Sequence, residues 1–559
     1  MSATTTTAPP PVSGAGKLSA FAAALPSELS SSPLLGILAV ILGAGTVSLA
    51  GRLLSLGLAD LRGSLGLGVD EGAWIPSAFN VAIMFIGPFT VFLSALAGAR
   101  RVLLVCSAVF TLVSIFLPLV HSYSLLMTLL IIAGLTSGTF YPLTLTFALR
   151  NIPLRYTTLT LALYAACILG AVNFAPSLYG FYREQLSWHW MFWTSAVIAP
   201  VVMVCAYYGI PPAPKRAKSG EPPSFAGFFY LSAGFALVYA ALDQGQRLDW
   251  WRSGTFVGLL AGGVFLLLCA LARRLRMPNR LIDLPYLAKR NTILLALALV
   301  AFRFSLLGTA MVIPQSLAVR GFDASQYGPA VAWTATASLV LTVIAGYFLS
   351  AGMDSRLLMA IGFACMGFAC LLNAQFTSAW SAENYFSSEL LMAVGQSFAF
   401  LGLVSTLLLQ ALFSGGMESP QRVLTFSAFF HVVRLFGGQL GTALMGYFIA
   451  QRVQLHSFLL GLNVQGGDWV TDNTVWSLTA GLAGKSGGWP TAAGRAIGIL
   501  DSKVRLQAYT LTFIDAFHLI AWTCAGTLLL TAMLRKSPLS FGDLSALQSN
   551  TRPAPGGKS

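Results

Sequence analysis

Apolar residues recur along this chain in blocks of about 20, each long enough to cross roughly 30 Å of hydrocarbon, from Leu34 to Leu534. Short polar breaks divide them into fourteen predicted helices. The first six run over 34–56, 74–96, 101–120, 124–147, 156–178 and 190–209. Two more follow a polar linker bearing Lys215, Arg216 and Lys218, at 225–242 and 254–272, ahead of the basic cluster Arg273, Arg274, Arg276 and Arg280. The last six are expected at 291–316, 328–350, 356–375, 387–412, 424–450 and 513–534. A six-helix unit that occurs twice suggests duplication, with a binding site between the halves near the bilayer midplane.

The pattern predicts an all-α polytopic membrane protein in five parts. These are a disordered cytoplasmic tail at 1–32, a six-helix bundle at 33–210, a linker with two inserted helices at 211–290, a second six-helix bundle at 291–536, and a cytoplasmic tail at 537–559. An extracytoplasmic loop at 451–512 falls inside the second bundle, too short to be an independent catalytic domain.

Composition agrees with lipid as the main solvent. The 559 residues are 56% apolar and 9% charged, too few charges for a water-facing surface. All seven cysteines fall inside apolar runs and read as small hydrophobes. The net charge of +14 raises nucleic acid as a partner. With both ends in the cytoplasm, however, most Lys and Arg fall on cytoplasmic segments and most acids outside, which is the positive-inside rule. No nucleic-acid partner is therefore expected. No phosphate-binding loop, dinucleotide fingerprint or zinc spacing occurs, so no cofactor, metal or enzymatic activity is expected.

Local motifs resemble the fourteen-helix drug:proton antiporters of the major facilitator superfamily, notably the multidrug exporters that work with a membrane-fusion adaptor. Glu71-Gly-Ala-Trp74 with Phe79 is similar to the family's Gln-Gly-x-Trp, Ala175-Pro176-Ser-Leu-Tyr-Gly180 to Gly-Pro-x-x-Gly-Gly, and Trp188-His-Trp190 to the pair opening helix 6. In the second half the resemblance runs through Pro278-Asn-Arg-Leu-Ile-Asp283, Arg290-Asn291, Pro314-Gln315 and the Gly346 to Arg356 gating loop. It ends at Arg434-Leu-Phe-Gly-Gly-Gln-Leu-Gly-Thr442. Three positions depart from the family: Ala95 in the first gating loop and Ala50 in helix 1 replace acids, and Leu130 in helix 4 replaces an arginine.

The resemblance implies efflux of small amphipathic compounds by proton antiport from the bacterial inner membrane. It also implies an adaptor and an outer-membrane channel as partners, and Trp74 and Pro176 as substrate or gating residues. The departures leave a second reading, an uncoupled transporter or a receptor that kept the fold.

The charged residues singled out within the predicted spans are Arg52, Arg303, Arg434 and Asp515. A buried arginine is costly in a bilayer, about 2.5 to 3.5 kcal/mol at a helix centre, so each is expected to face a cavity or a partner. Arg52 either snorkels from a helix end or restores the positive charge missing at Leu130. Arg303, at mid-depth, is expected to serve substrate or gating, or else a structural ion pair. Arg434 shares a helix face with His431, three residues earlier. Asp515 is the first candidate for carrying a proton, because low dielectric favours a neutral acid, with a solvated structural role as the alternative. His431 is a second proton candidate or a packing residue. Three arginines against one acid favour anionic or weakly acidic amphiphiles.

Overall fold

The computed structural model describes residues 33–152, 154–211, 225–276, 289–413, 420–485, 488–537 and 539–543. The tail at 1–32, Lys215, Arg216 and Lys218, the Pro278 to Asp283 motif with Arg280, and most of the 537–559 tail lie outside the described residues.

In hydrocarbon every backbone polar group needs an internal partner, so apolar runs of this length close their hydrogen bonds as helices. Among the described residues fourteen are long and apolar enough to span. They are α1 Leu34–Leu56, α2 Val69–Ala97, α3 Ala99–Leu119, α4 Tyr123–Phe147, α5 Tyr156–Gln185, α6 Trp190–Gly209, α7 Phe225–Gln244 and α8 Gly254–Arg276. The second set comprises α9 Arg290–Ala318, α10 Ala324–Ser350, α11 Ser355–Asn373, α12 Ala382–Phe413, α13 Thr425–Gly461 and α14 Trp489–Met533. An even number places Leu34 and Met533 on the same face.

Burial separates central from peripheral helices. In α12, 78% of the central window is buried against protein, whereas in α8 only 11% is, so α8 is the most peripheral helix. Helix α5 packs along α10, and α2 against α13, joining the two bundles. Helix α7 seats on α2 and α13, with α8 outside it. That contact is polar at one end: Ser77 donates to the Asp243 carboxylate, Gln244 donates to the Ala73 carbonyl at 3.1 Å, and Arg247 pairs with Asp70 at 2.6 Å.

Four boundaries differ from the sequence expectation in ways that matter. The stretch expected as an external loop is largely helical: α13 runs on to Gly461, a separate helix covers Trp469–Ala483, and α14 begins at Trp489. Asp468 starts the middle helix by accepting a hydrogen bond from the Thr471 N–H at 3.2 Å. Helix α12 begins earlier than 387, which sets Glu389 deeper in its span, and α7 ends later than 242, which takes Asp243 into one.

Helix α9 is irregular where it matters most. A π-turn over Gly308–Val312 interrupts it just before Pro314. Proline has no N–H, so the Ala310 carbonyl four residues earlier loses its regular helical partner.

Candidate functional site

A cavity lies between the bundles, lined by Ile168, Leu169, Val172 and Asn173 of α5, Phe302, Arg303, Leu306 and Ala310 of α9, Phe400 of α12 and Arg434 of α13. Its walls are apolar except for Asn173 and the two arginines, and no carboxylate is among the lining residues. Pro176 lies buried one turn beyond Val172 and denies that residue's carbonyl an N–H donor. Both helices facing the cavity from opposite bundles thus carry a proline four residues past a lining position.

Arg303 rests its guanidinium on Gly438 of α13; a Cβ there would stand 2.7 Å from Nη2 and push the guanidinium aside. Arg434 sits one turn before Gly438, 5% exposed, with its guanidinium 3.8 Å from the centre of the Tyr141 ring. Stacking on an aromatic face holds a cation without neutralising it. Tyr141 is fixed in turn by a hydrogen bond between its hydroxyl and that of Ser48 on α1. The Nε atoms of Arg303 and Arg434 are buried without a hydrogen-bond partner. Two cations therefore converge on one low-dielectric space with donor capacity unspent.

Arg52 reaches across from α1 and donates through Nη2 to the Ala310 carbonyl, the group orphaned by Pro314. Of the two readings of Arg52, the geometry is that of a cross-bundle contact; α1 is followed by a further helix, Leu58–Leu65, so the side chain is not at a free end. His431 is 1% exposed, its ring 5.3 Å from that of Tyr141. It packs beside Arg434 rather than lining the cavity.

Asp515 and Trp74 stand elsewhere. Asp515 accepts from His456 Nε2 at 2.8 Å and pairs with Arg452 Nε at 3.5 Å, linking α14 to the extended part of α13. Trp74 lies under the Arg247 guanidinium, 5.4 Å from the ring centre, where α7 meets α2. Leu130, at the family's arginine position, is 1% exposed in the core.

The sequence reading missed Glu389. Its carboxylate is fully buried in α12 and accepts from Thr309 Oγ1 at 2.9 Å and from Thr334 Oγ1 at 2.6 Å. Gln396 Nε2 donates to Thr309 Oγ1 at 3.2 Å, and Asn173 Nδ2 donates to Gln396 Oε1 at 2.8 Å, carrying the chain from α12 to α5. A start of α12 drawn at 387 put Glu389 at the helix end, where an acid reads as a surface group. The signal that could have found it is the set of amide and hydroxyl residues, Thr309, Thr334 and Gln396, in the middle of otherwise apolar helices.

A profile of the Major Facilitator Superfamily matches residues 40–442. The multidrug export protein EmrB of Haemophilus influenzae is 24% identical over 404 residues, covering 72% of this chain and 78% of its own. The fatty acid resistance protein FarB of Neisseria gonorrhoeae is 24% identical over 402 residues, 71% of this chain and 76% of its own. Among solved structures, the proton:xylose symporter XylE bound to 6-bromo-6-deoxy-D-glucose aligns with a TM-score of 0.56 at 11% identity over 93% of this chain and 99% of its own, a likeness of fold.

Proposed function

The chain belongs to the Major Facilitator Superfamily, and on that premise we propose that it is a secondary exporter of small amphipathic organic compounds. It resides in the bacterial inner membrane with both ends cytoplasmic, and cycles by rocking its two bundles about the mid-depth cavity in exchange for protons. The observation that carries this reading is the placement of Arg303 and Arg434 on one apolar cavity with no acid beside them.

Those two cations select charge. A carboxylate, sulfonate or phenolate head satisfies unspent guanidinium donors, while a permanent cation meets repulsion in low dielectric. Phe302, Phe400, Leu169 and Leu306 supply surface for an apolar body. The names of the relatives, multidrug export and fatty acid resistance, support the same substrate class.

Everted vesicles with an imposed pH gradient test the reading. Extrusion of an amphipathic anion such as anilinonaphthalene sulfonate is expected in wild type, to be lost in Arg303→Met with normal protein levels. Vesicles that expel a quaternary ammonium dye and ignore the anion would overturn it.

A further inference from the structure

The exporter reading needs a group that binds the exchanged proton, and the positions where the family carries such chemistry hold Ala50 and Leu130 here. We propose that Glu389 is that group: it binds one proton per cycle, and the Thr309–Gln396–Asn173 chain transmits its charge to the interface between the bundles. The inference rests on the antiport reading and names the residue that performs it.

Geometry makes the case. The Glu389 carboxyl is 0% exposed, and among the described residues it forms no ion pair. Its donors are two neutral hydroxyls, Thr309 at 2.9 Å and Thr334 at 2.6 Å. An isolated charge in such a place is disfavoured by lost hydration, and hydroxyl donors recover only part of it. The opposing effects leave both the acid and the anion accessible once water reaches the pocket on either side of the membrane. The step is the association of one proton with one carboxylate oxygen and its later release.

The surroundings hold the other titratable groups that could compete. Cys370 faces Glu389 from α11 and Tyr385 from the turn that opens α12, with Tyr385 hydrogen-bonded to Ser316 of α9 at 3.3 Å. Arg320, the cation beside Tyr385, is engaged with the Trp380 and Ser316 carbonyls. From α10 and α5 the facing polar groups are Thr334 and Asn173, neither of which titrates.

Every donor in the chain points toward Glu389. Asn173 donates to Gln396, Gln396 to Thr309, and Thr309 to the carboxylate. A carboxylate accepts this polarity fully; a carboxylic acid gives back an O–H and weakens it. Asn173 belongs to the first bundle and lines the cavity, so the loss is felt where the bundles meet and where substrate sits. Thr309 is also one residue from Ala310, the carbonyl held by Arg52. One protonation thus touches two cross-bundle contacts.

Two measurements on full-length protein test this. In infrared pH-difference spectra, wild type is expected to show a protonated-carboxyl band that fades as pH rises, and Glu389→Gln to lack it. The same band in both proteins, or none in wild type, overturns the assignment irrespective of transport. In proteoliposomes, Glu389→Gln is expected to lose pH-gradient-driven movement of anilinonaphthalene sulfonate while exchange at equal pH persists, and Glu389→Asp to keep driven transport with a displaced pH profile. Wild type that ignores the gradient defeats the antiport reading, whereas a responsive wild type with an equally responsive Glu389→Gln defeats the Glu389 proposal.

Discussion

Pro314 has no N–H to give Ala310, and Arg52 supplies a guanidinium N–H from the other bundle in its place. The exchange explains how an arginine is retained within a span: it fills a vacancy that helix geometry cannot fill. Removing Arg52 leaves a buried carbonyl unpaired, a loss of about 1–3 kcal/mol. Pro314→Ala returns a backbone donor to that carbonyl. The thermal destabilisation by Arg52→Ala is therefore expected to shrink in the Arg52→Ala, Pro314→Ala double variant; strict additivity of the two single effects would mean that they do not share a partner. Arg303 and Arg434 differ from Arg52 in lining the cavity, whose wall carries no acid, which is why they, and not Arg52, are assigned to substrate.

At the scale of elements, α13 and α14 are the most unusual, with 37 and 45 residues against about 20 needed to cross the bilayer. Their surplus projects beyond it with the Trp469–Ala483 helix, exposing Phe458, Trp469 and Trp476. Asp515 belongs to this pair of helices, held by His456 and Arg452, and its half-exposed setting limits each contact to within about 1 kcal/mol. Asp515→Asn is expected to lower the melting temperature slightly and to leave the response of transport to a pH gradient intact. A loss of that response with unchanged stability would return Asp515 to the coupling role. The sequence carried the acid but not its neighbours: His456 lies in a stretch that looked like loop, so a helical partner for Asp515 was not visible.

The two bundles touch at both ends of the molecule. At one end Arg183 of α5 pairs with Asp323 at 3.3 Å, just before α10, and Gly328 of α10 lies against the Ser177 backbone. At the end bearing the termini, Thr146 of α4 donates to Ser427 of α13 at 3.1 Å. Contacts between the bundles thus stand at both ends of the molecule, with the cavity between them. A cysteine pair at Thr146 and Ser427, whose hydroxyls stand 3.1 Å apart, is expected to cross-link under oxidation and to stop transport until reduced. Cross-linked protein that still transports would mean that this end does not open.

The amino-acid order alone determined that the chain is a helical membrane protein, because apolar length and the obligation to pair every backbone group in lipid act locally, run by run. It also determined that Arg303 and Arg434 are expensive and so meant for an interior, since burial of charge depends only on being within a span. Only the tertiary structure decided what each charge meets. Glu389 lies a few residues inside a boundary that hydropathy places loosely, and Asp515 is equally close to another; the first is sealed among hydroxyls and the second is paired with a base. Their difference is set by residues far away in sequence, Thr309, Asn173 and His456, which come near only when the bundles pack.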